Sequence, residues 1–177
     1  MKKLFLLAAL PLLALVSCRP DPKPALPDYN GKEIKLTAEN SGLTTELSTV
    51  ATTVNLPIPD TTEMYQLEIS ADVKYKTTSG GHTEIYLSPG SYIKSISTLR
   101  VERLIIDFFG RQGTLFDVYA NNTFSGTPVE EHLSEIEATE PDDYGQVSEF
   151  SIQANGWSIK NNTEFNKPCL YYVTIVL

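Results

Sequence analysis

The chain has 177 residues and a formal net charge of −8, with 14 Lys and Arg against 22 Asp and Glu. An acidic protein repels nucleic acid phosphates and anionic lipid headgroups, so we expect neither as a partner. The length that remains after the opening segment suits one domain with a full hydrophobic core.

The opening segment has the layout of an export signal. Two lysines precede an apolar run over 4–16, which is well short of the roughly 20 residues that a membrane-spanning helix needs. Leu15-Val16-Ser17-Cys18 then resembles the lipobox of bacterial lipoproteins, in which an aliphatic residue, a tolerant position and a small residue precede a cysteine. The resemblance implies that residues 1–17 are removed and that Cys18 is acylated. The alternative is an ordinary cleaved signal with an incidental cysteine.

A proline-rich segment follows the cysteine. Four prolines lie between 19 and 27, where they block helix formation and favour an extended spacer. We therefore expect a lipidated stalk over 18–30 and a single β-sandwich domain over 31–177. Two or more acyl chains hold a protein firmly to a membrane. The expected location is the cell envelope, with the protein anchored through Cys18 to the outer membrane and facing the periplasm or the outside.

Alternation of apolar and polar residues dominates the rest of the chain. Its clearest case runs from Tyr65 to Lys76 and predicts one half-buried strand of an antiparallel sheet. Ser79-Gly80-Gly81-His82 then predicts a hairpin into a second strand over 83–88. The more uniformly apolar segment 99–109 is expected to be a strand covered on both faces. Further strands are predicted near 34–38, 50–58, 114–121, 147–154 and 168–177.

One segment departs from the strand pattern. Thr127-Pro128-Val129-Glu130 has the N-cap, the first-turn proline and the third-position glutamate of a helix start. Apolar residues follow at helical spacing, which predicts a short helix over about 128–138. Roughly eight or nine strands with this helix in a long crossover predict an all-β fold, an antiparallel β-sandwich with jelly-roll connections and one short helix.

Enzyme motifs are absent from the sequence. It contains no G-x-S-x-G, H-E-x-x-H, P-loop or C-x-x-C pattern, so we predict no catalytic residue and no cofactor. The two histidines, His82 and His132, fall on a predicted turn and on the predicted helix. A hydrolase with a dispersed site stays an alternative, because catalytic triads assemble in space. With Cys18 lipidated, Cys169 has no disulfide partner and is expected to be a small buried hydrophobic residue.

Carboxylates are concentrated in one part of the sequence. No Lys or Arg occurs from 112 to 159, and seven carboxylates lie between Glu130 and Asp143. The simplest interpretation is a solvated acidic surface. Clustered carboxylates with loop carbonyls also bind calcium, although EF-hand spacing is absent here. Asp142 and Asp143 are therefore the candidate calcium ligands.

Aromatic residues in two turn-like segments suggest a sugar site. Sugar-binding sites on β-sandwiches stack an exposed aromatic face on the pyranose ring, while carboxylates or amides bind the hydroxyls. The only tryptophan would fit this role with its neighbours, and the candidate ligand-binding residues are Trp157, Tyr144, Asp142, Asp143 and Asn155. The alternative, favoured because large aromatic side chains are mostly buried, is that Trp157 packs in the core.

Two family resemblances bear on function. The run 99–122, two apolar strands about a glycine turn, resembles the central strands of discoidin-type, galactose-binding-like jelly rolls, and the closing LYYVTIVL is similar to their final strand. The chain as a whole resembles small secreted lipoproteins of gut Bacteroidetes. Asp60-Thr61-Thr62 resembles the O-glycosylation signal of that group, which implies a glycan on Thr61.

These observations favour a lipid-anchored binding or accessory module without a catalytic site. A glycan or a surface protein is the expected partner, with the membrane contacted through Cys18. The main alternative is a structural or adhesion protein, such as a pilin-like subunit, because long alternating strands permit strand exchange. A hydrolase is the less favoured alternative.

Overall fold

A computed structural model describes residues 28–43, 51–77, 83–124, 126–138, 143–164 and 169–177, without the side chains of 123, 124 and 143–145. Several residues discussed above lie outside this description: the signal, Cys18, the stalk up to residue 27, His82 and Asp142. Lipidation of Cys18 therefore stays a prediction.

The described residues form twelve strands and no helix. In chain order the strands are β1 (Glu33–Leu36), β2 (Thr52–Pro57), β3 (Met64–Ile69), β4 (Val73–Thr77), β5 (Thr83–Leu87), β6 (Tyr92–Ser95), β7 (Val101–Gly110), β8 (Leu115–Phe124), β9 (Thr127–Glu137), β10 (Asp143–Ala154), β11 (Gly156–Asn161) and β12 (Cys169–Val176). No helix in these ranges is long and apolar enough to cross a membrane.

The strands pair into two six-stranded antiparallel sheets. Sheet A has the order β10-β7-β12-β5-β4, and β1 also pairs with β12. Sheet B has the order β2-β3-β6-β11-β8-β9. The chain passes from one sheet to the other at most of its connections, including every step from β9 to β12, as in a jelly roll. The predicted all-β antiparallel sandwich is therefore confirmed, with more strands than expected.

The hydrophobic core lies between the two sheets. The alternating residues of each strand supply it, because successive side chains of a strand point to opposite faces. Phe108 of β7 and Phe116 of β8 meet edge to face across it, with ring centres 5.7 Å apart. Cys169 is also fully buried, is a free thiol and begins β12, as expected.

The segment from Tyr65 to Lys76 is two strands instead of one. β3 belongs to sheet B and β4 to sheet A, with a turn at 71–72 between them. Both sheets face the same core, so a chain that turns the corner keeps its apolar face inward. Tyr65 and Val73 are accordingly both buried. The alternation therefore correctly predicts which side chains face the core, whereas the prediction of a single continuous strand is wrong.

The helix predicted over 128–138 is also wrong. These residues belong to β9, which pairs with β8 from Thr127 opposite Phe124 to Glu137 opposite Leu115. The local helix-start pattern is overridden because the strand gains a full ladder of backbone hydrogen bonds with its neighbour. Pro128 is compatible with this arrangement, since β9 is an edge strand and one of its sides needs no donor.

Candidate binding site

A groove of about 590 Å³ opens on the outer face of sheet B. Its floor contains Gly156 of β11 and Asn121 of β8, which are opposite each other in the sheet. One wall is the segment 96–98 that follows β6, and the other is the segment 128–130 of β9. We call this the amide groove. Its volume lies in the range of small-molecule sites, about 300–1,000 Å³.

The floor of the amide groove is open because residue 156 has no side chain. A Cβ at Gly156 would lie 3.4 Å from the Cβ of Ser95 and 3.7 Å from the Cβ of Asn121. These are ordinary van der Waals contacts, so a methyl group would fit against both neighbours and would occupy the space between them. Glycine at this position therefore deepens the groove.

Three asparagines line this part of the groove: Asn121, Asn122 and Asn155. Asn122 accepts a hydrogen bond through Oδ1 from the backbone N–H of Asn155, at 3.3 Å, which ties the β10–β11 turn to β8. The Oδ1 atom of Asn121 is buried and has no hydrogen-bond partner within the described ranges. A side-chain amide offers both donors and an acceptor, which is the combination that a ligand hydroxyl needs.

Charged side chains at the groove are held by partners of opposite sign. Glu130 accepts a hydrogen bond from the hydroxyl of Ser158 at 3.2 Å and pairs with the ammonium of Lys160 at 3.2 Å. Across the groove, Lys94 pairs with Glu68 at 3.1 Å. Because both signs are present and each is paired, the amide groove has no strong preference for an anionic or a cationic ligand.

Apolar side chains form part of both walls. Ile96 is 40% exposed and Val129 is 43% exposed, and Pro128 lies beside the latter. Exposed aliphatic groups of this size are in place to contact the C–H faces of a ligand. None of the described residues that line this groove is aromatic.

The tyrosines elsewhere on this face are covered. The ammonium of Lys94 lies 5.4 Å from the ring centre of Tyr92, and that of Lys160 lies 4.5 Å from the ring centre of Tyr119. A lysine over an aromatic face occupies the surface that a sugar ring would use. Stacking on sheet B would therefore require these lysines to move.

A second groove, of about 600 Å³, adjoins the first. We call it the Tyr29 groove. It is lined by 28–30, by 98–100, by Glu102, by Asn155 and by Leu177. Thr98 and Asn155 line both grooves, so the two grooves meet at these side chains. Its charged lining residues again have both signs: Asp28 and Glu102 are acidic and Arg100 is basic.

Tyr29 is the aromatic residue of this second groove. Its ring is partly buried against the core, and its hydroxyl donates a hydrogen bond to Glu63. That hydrogen bond to a carboxylate raises the pKa of Tyr29 to about 12. Tyr29 belongs to the segment 18–30 that the prolines predict to be a stalk, so it was not among the predicted site residues. Its position after Pro27, the last of the four closely spaced prolines, and just before β1 was the signal that could have identified it.

Trp157 is not part of either groove. Its side chain is fully buried, 0% exposed, and its indole N–H donates to the hydroxyl of Tyr65 at 2.9 Å. Trp157 lies in β11, a strand in the middle of sheet B, where the sequence predicts a turn. The stacking role is therefore wrong for Trp157, and the alternative of core packing is confirmed.

Of the five residues predicted to bind a ligand, Asn155 is the one that the structure places in a groove. Asp143 and Tyr144 are the first two residues of strand β10, where their side chains are not described, and Asp142 lies outside the described residues. Calcium binding by Asp142 and Asp143 therefore stays a prediction. Thr61 lies in a turn and its hydroxyl donates to the carbonyl of Ile58 at 3.1 Å; its glycosylation also stays a prediction.

The acidic run has a structural explanation. Four of its glutamates lie on β9, the edge strand of sheet B: Glu130, Glu131, Glu135 and Glu137. Charged side chains on an edge strand prevent the pairing of its free backbone groups with another chain. The run therefore protects this edge and disfavours assembly by strand exchange along β9.

Comparisons with known proteins give distant likenesses. No family model matches the sequence, and no curated protein matches it. The structure is similar to the C-terminal CBM6 of LamC, a marine laminarinase from Zobellia galactanivorans, with 12% identity over 82% of this chain and 99% of that chain and a TM-score of 0.42.

Two further solved structures show the same degree of likeness. A family 6 carbohydrate-binding module has 8% identity over 80% of this chain and 91% of that chain, with a TM-score of 0.42. The K2 cleaved adhesin domain of Lys-gingipain has 13% identity over 82% of this chain and 98% of that chain, with a TM-score of 0.47. At these values the likenesses carry no inference about ligands, and function has to be argued from the residues of this chain.

Proposed function

We propose that this protein is a non-catalytic glycan-binding module and that the amide groove and the Tyr29 groove together form its binding surface. The observation that carries the proposal is the sharing of Thr98 and Asn155 by two adjoining grooves. One groove supplies amides and the other supplies a partly exposed aromatic ring. A chain of sugar units that crosses Asn155 would contact both.

The chemistry of the lining favours a neutral ligand with many hydroxyl groups. The side-chain amide groups can donate to ligand hydroxyls, the exposed Asn155 can also accept through its Oδ1, and hydroxyls themselves both donate and accept. The charged residues that line the amide groove are already paired, Glu130 with Lys160 and Lys94 with Glu68. A strongly charged ligand would have to break these pairs, whereas a neutral sugar leaves them intact.

We also propose that this module works at the cell envelope, held to the outer membrane by acyl chains on Cys18. The support is the sequence pattern around Cys18 and the proline-rich segment after it. An anchored binding module with an extended spacer would hold its ligand at a short distance from the membrane surface.

A glycan array probed with the full chain tests the function. We expect binding to neutral oligosaccharides, and we expect Asn155→Ala to weaken the affinity for them by about 5- to 30-fold, the equivalent of one or two lost hydrogen bonds. The matched control is Asn162→Ala, because Asn162 is also an exposed asparagine but lines neither groove. An array without any bound glycan, or equal affinities for Asn155→Ala and the unchanged protein, would contradict the proposal.

A further inference from the structure

A bulge in β9 brings two metal-ligating side chains to one face of the strand. Where β9 pairs with β8, Glu135 lies opposite Asp117 and His132 lies opposite Tyr119. Three residue steps along β9 therefore span the same distance as two residue steps along β8, and the extra residue is Leu133. In a regular strand, residues 132 and 135 would point to opposite faces. Bulges re-aim side chains in this way and are frequent beside functional sites.

The side chains so placed form a compact cluster with a buried carboxylate. The Nε2 atom of His132 lies 3.0 Å from Oδ1 of Asp117. One potential ligand atom from each of Asp117, His132 and Glu135 lies within 4.8 Å of the other two. Asp117 is only 4% exposed, whereas His132 and Glu135 are open to solvent. Burial of a carboxylate is costly unless it is paired, fully hydrogen-bonded or bound to a metal ion.

We propose that Asp117, His132 and Glu135 bind one divalent transition-metal ion, and that Zn²⁺ fits this donor set best. Ligands of a tetrahedral Zn²⁺ ion, each about 2.0–2.1 Å from the metal, lie about 3.3 Å from one another. The separation of His132 from Asp117 is close to this value, and the exposed Glu135 side chain is free to rotate inward. The imidazole donor favours Zn²⁺ and related ions over Ca²⁺, which takes oxygen ligands.

The surroundings of the cluster support this assignment. The ring of Tyr119 packs on that of His132 with centres 5.1 Å apart, and this contact restricts the orientation of the imidazole. The nearby ammonium of Lys160 is neutralised by Glu130 at 3.2 Å, which lowers its repulsion of a cation. Three protein ligands would leave the fourth position open on the outer face of sheet B.

Zinc titration of the full chain, without a polyhistidine tag and freed of metal by a chelator, tests the site. We expect one Zn²⁺ ion per chain by calorimetry and a higher Tm when Zn²⁺ is present. His132→Gln and Glu135→Gln each remove one ligand from an exposed position and leave the buried Asp117 in place. Each is expected to lower the Zn²⁺ affinity by at least about tenfold.

The control is Glu131→Gln, which removes the same charge from the same strand but lies outside the cluster. Its Zn²⁺ affinity should equal that of the unchanged protein. The proposal is overturned if the unchanged protein takes up no Zn²⁺, if His132→Gln binds as tightly as the unchanged protein, or if Glu131→Gln loses as much affinity as Glu135→Gln. Displacement of Zn²⁺ by equimolar Ca²⁺ would overturn the choice of metal.

Discussion

The indole N–H of Trp157 and the hydroxyl of Tyr65 form a hydrogen bond of 2.9 Å inside the core, although the two residues are 92 positions apart in the chain. The Tyr65 hydroxyl in turn donates to Oγ of Ser95 at 2.7 Å. Ser95 lines the amide groove beside Gly156. Two polar contacts therefore connect the tryptophan to Ser95, a lining residue of the proposed binding surface.

Trp157→Phe should lower the free energy of unfolding by about 2 kcal/mol. The substitution removes the indole N–H and leaves a small cavity, and both changes are costly in a packed core. Urea unfolding measures the difference. Tyr65→Phe should show a loss of similar size, and the double variant should lose less than the sum, because the two side chains share one hydrogen bond. Additive losses would show that this contact contributes no stability.

Gly156→Ala should weaken glycan binding without lowering stability. The added methyl group meets Ser95 and Asn121 at ordinary contact distances, so it fills the groove floor without displacing the backbone. Replacing glycine in a strand also reduces the entropy of the unfolded chain, which favours a gain of about 0.4–1 kcal/mol. Calorimetric titration with an array-selected glycan and urea unfolding measure the two effects.

The matched control for this substitution is Gly113→Ala. Gly113 has a φ of 84°, a backbone angle that residues other than glycine rarely adopt, and it lies outside both grooves. Its replacement should cost about 1–2 kcal/mol of stability and leave glycan affinity unchanged. Unchanged glycan binding by Gly156→Ala would exclude the amide groove from the binding surface.

Glu68 should make folding stability depend on acid pH. Its carboxylate accepts hydrogen bonds from the hydroxyl of Tyr92 and from the ammonium of Lys94, and these contacts hold the pKa of Glu68 below its usual value. A carboxyl group with a lowered pKa in the folded state stabilises the protein above its unfolded pKa and loses that contribution as pH falls through the folded value. Unfolding in urea between about pH 6 and pH 3 should show this loss.

Glu68→Gln should make that pH dependence shallower, because glutamine does not titrate. Glu33→Gln is the control, since Glu33 is an exposed glutamate at the start of β1. Its unfolding free energy should fall with pH as in the unchanged protein. Equal slopes for Glu68→Gln and the unchanged protein would contradict the prediction.

Cys169 should be unreactive in the folded protein. Burial raises the pKa of its thiol to about 12, and the side chain is not accessible to solvent. The thiolate is the reactive form, so a thiol reagent at about pH 8 should leave native protein unlabelled and should label it fully in urea. The measurement uses Cys18→Ser, so that Cys169 alone is counted. Rapid labelling under native conditions would mean that β12 opens readily.

Local patterns in the sequence predicted the strand class of most elements. Alternation over 65–76 correctly indicated which side chains face the core, because that property depends only on the period of the backbone. The same pattern could not show the turn at 71–72, since a strand that moves between two sheets keeps the same inward face. The helix pattern at Thr127 failed for a related reason, because pairing with β8 outweighed local preference.

The candidate site was less predictable than the fold. Asn155 was predicted as a ligand-binding residue because an amide in a turn-like segment can bind sugar hydroxyls. Tyr29 was not predicted, because the prolines before it indicate a stalk. The cluster of Asp117, His132 and Glu135 depends on the strand pairing and the bulge, and nothing in the spacing of these residues indicates it.

Neighbouring residues are enough to show that this chain is built from alternating strands and is rich in carboxylates, and they contain the pattern around Cys18 that predicts a lipid anchor. The burial of Trp157, the groove shared by Tyr29 and Asn155, and the contact of His132 with Asp117 are visible only in the folded chain. Each of these depends on the pairing of strands that are distant in the chain, and that pairing is selected by the packing of the whole core.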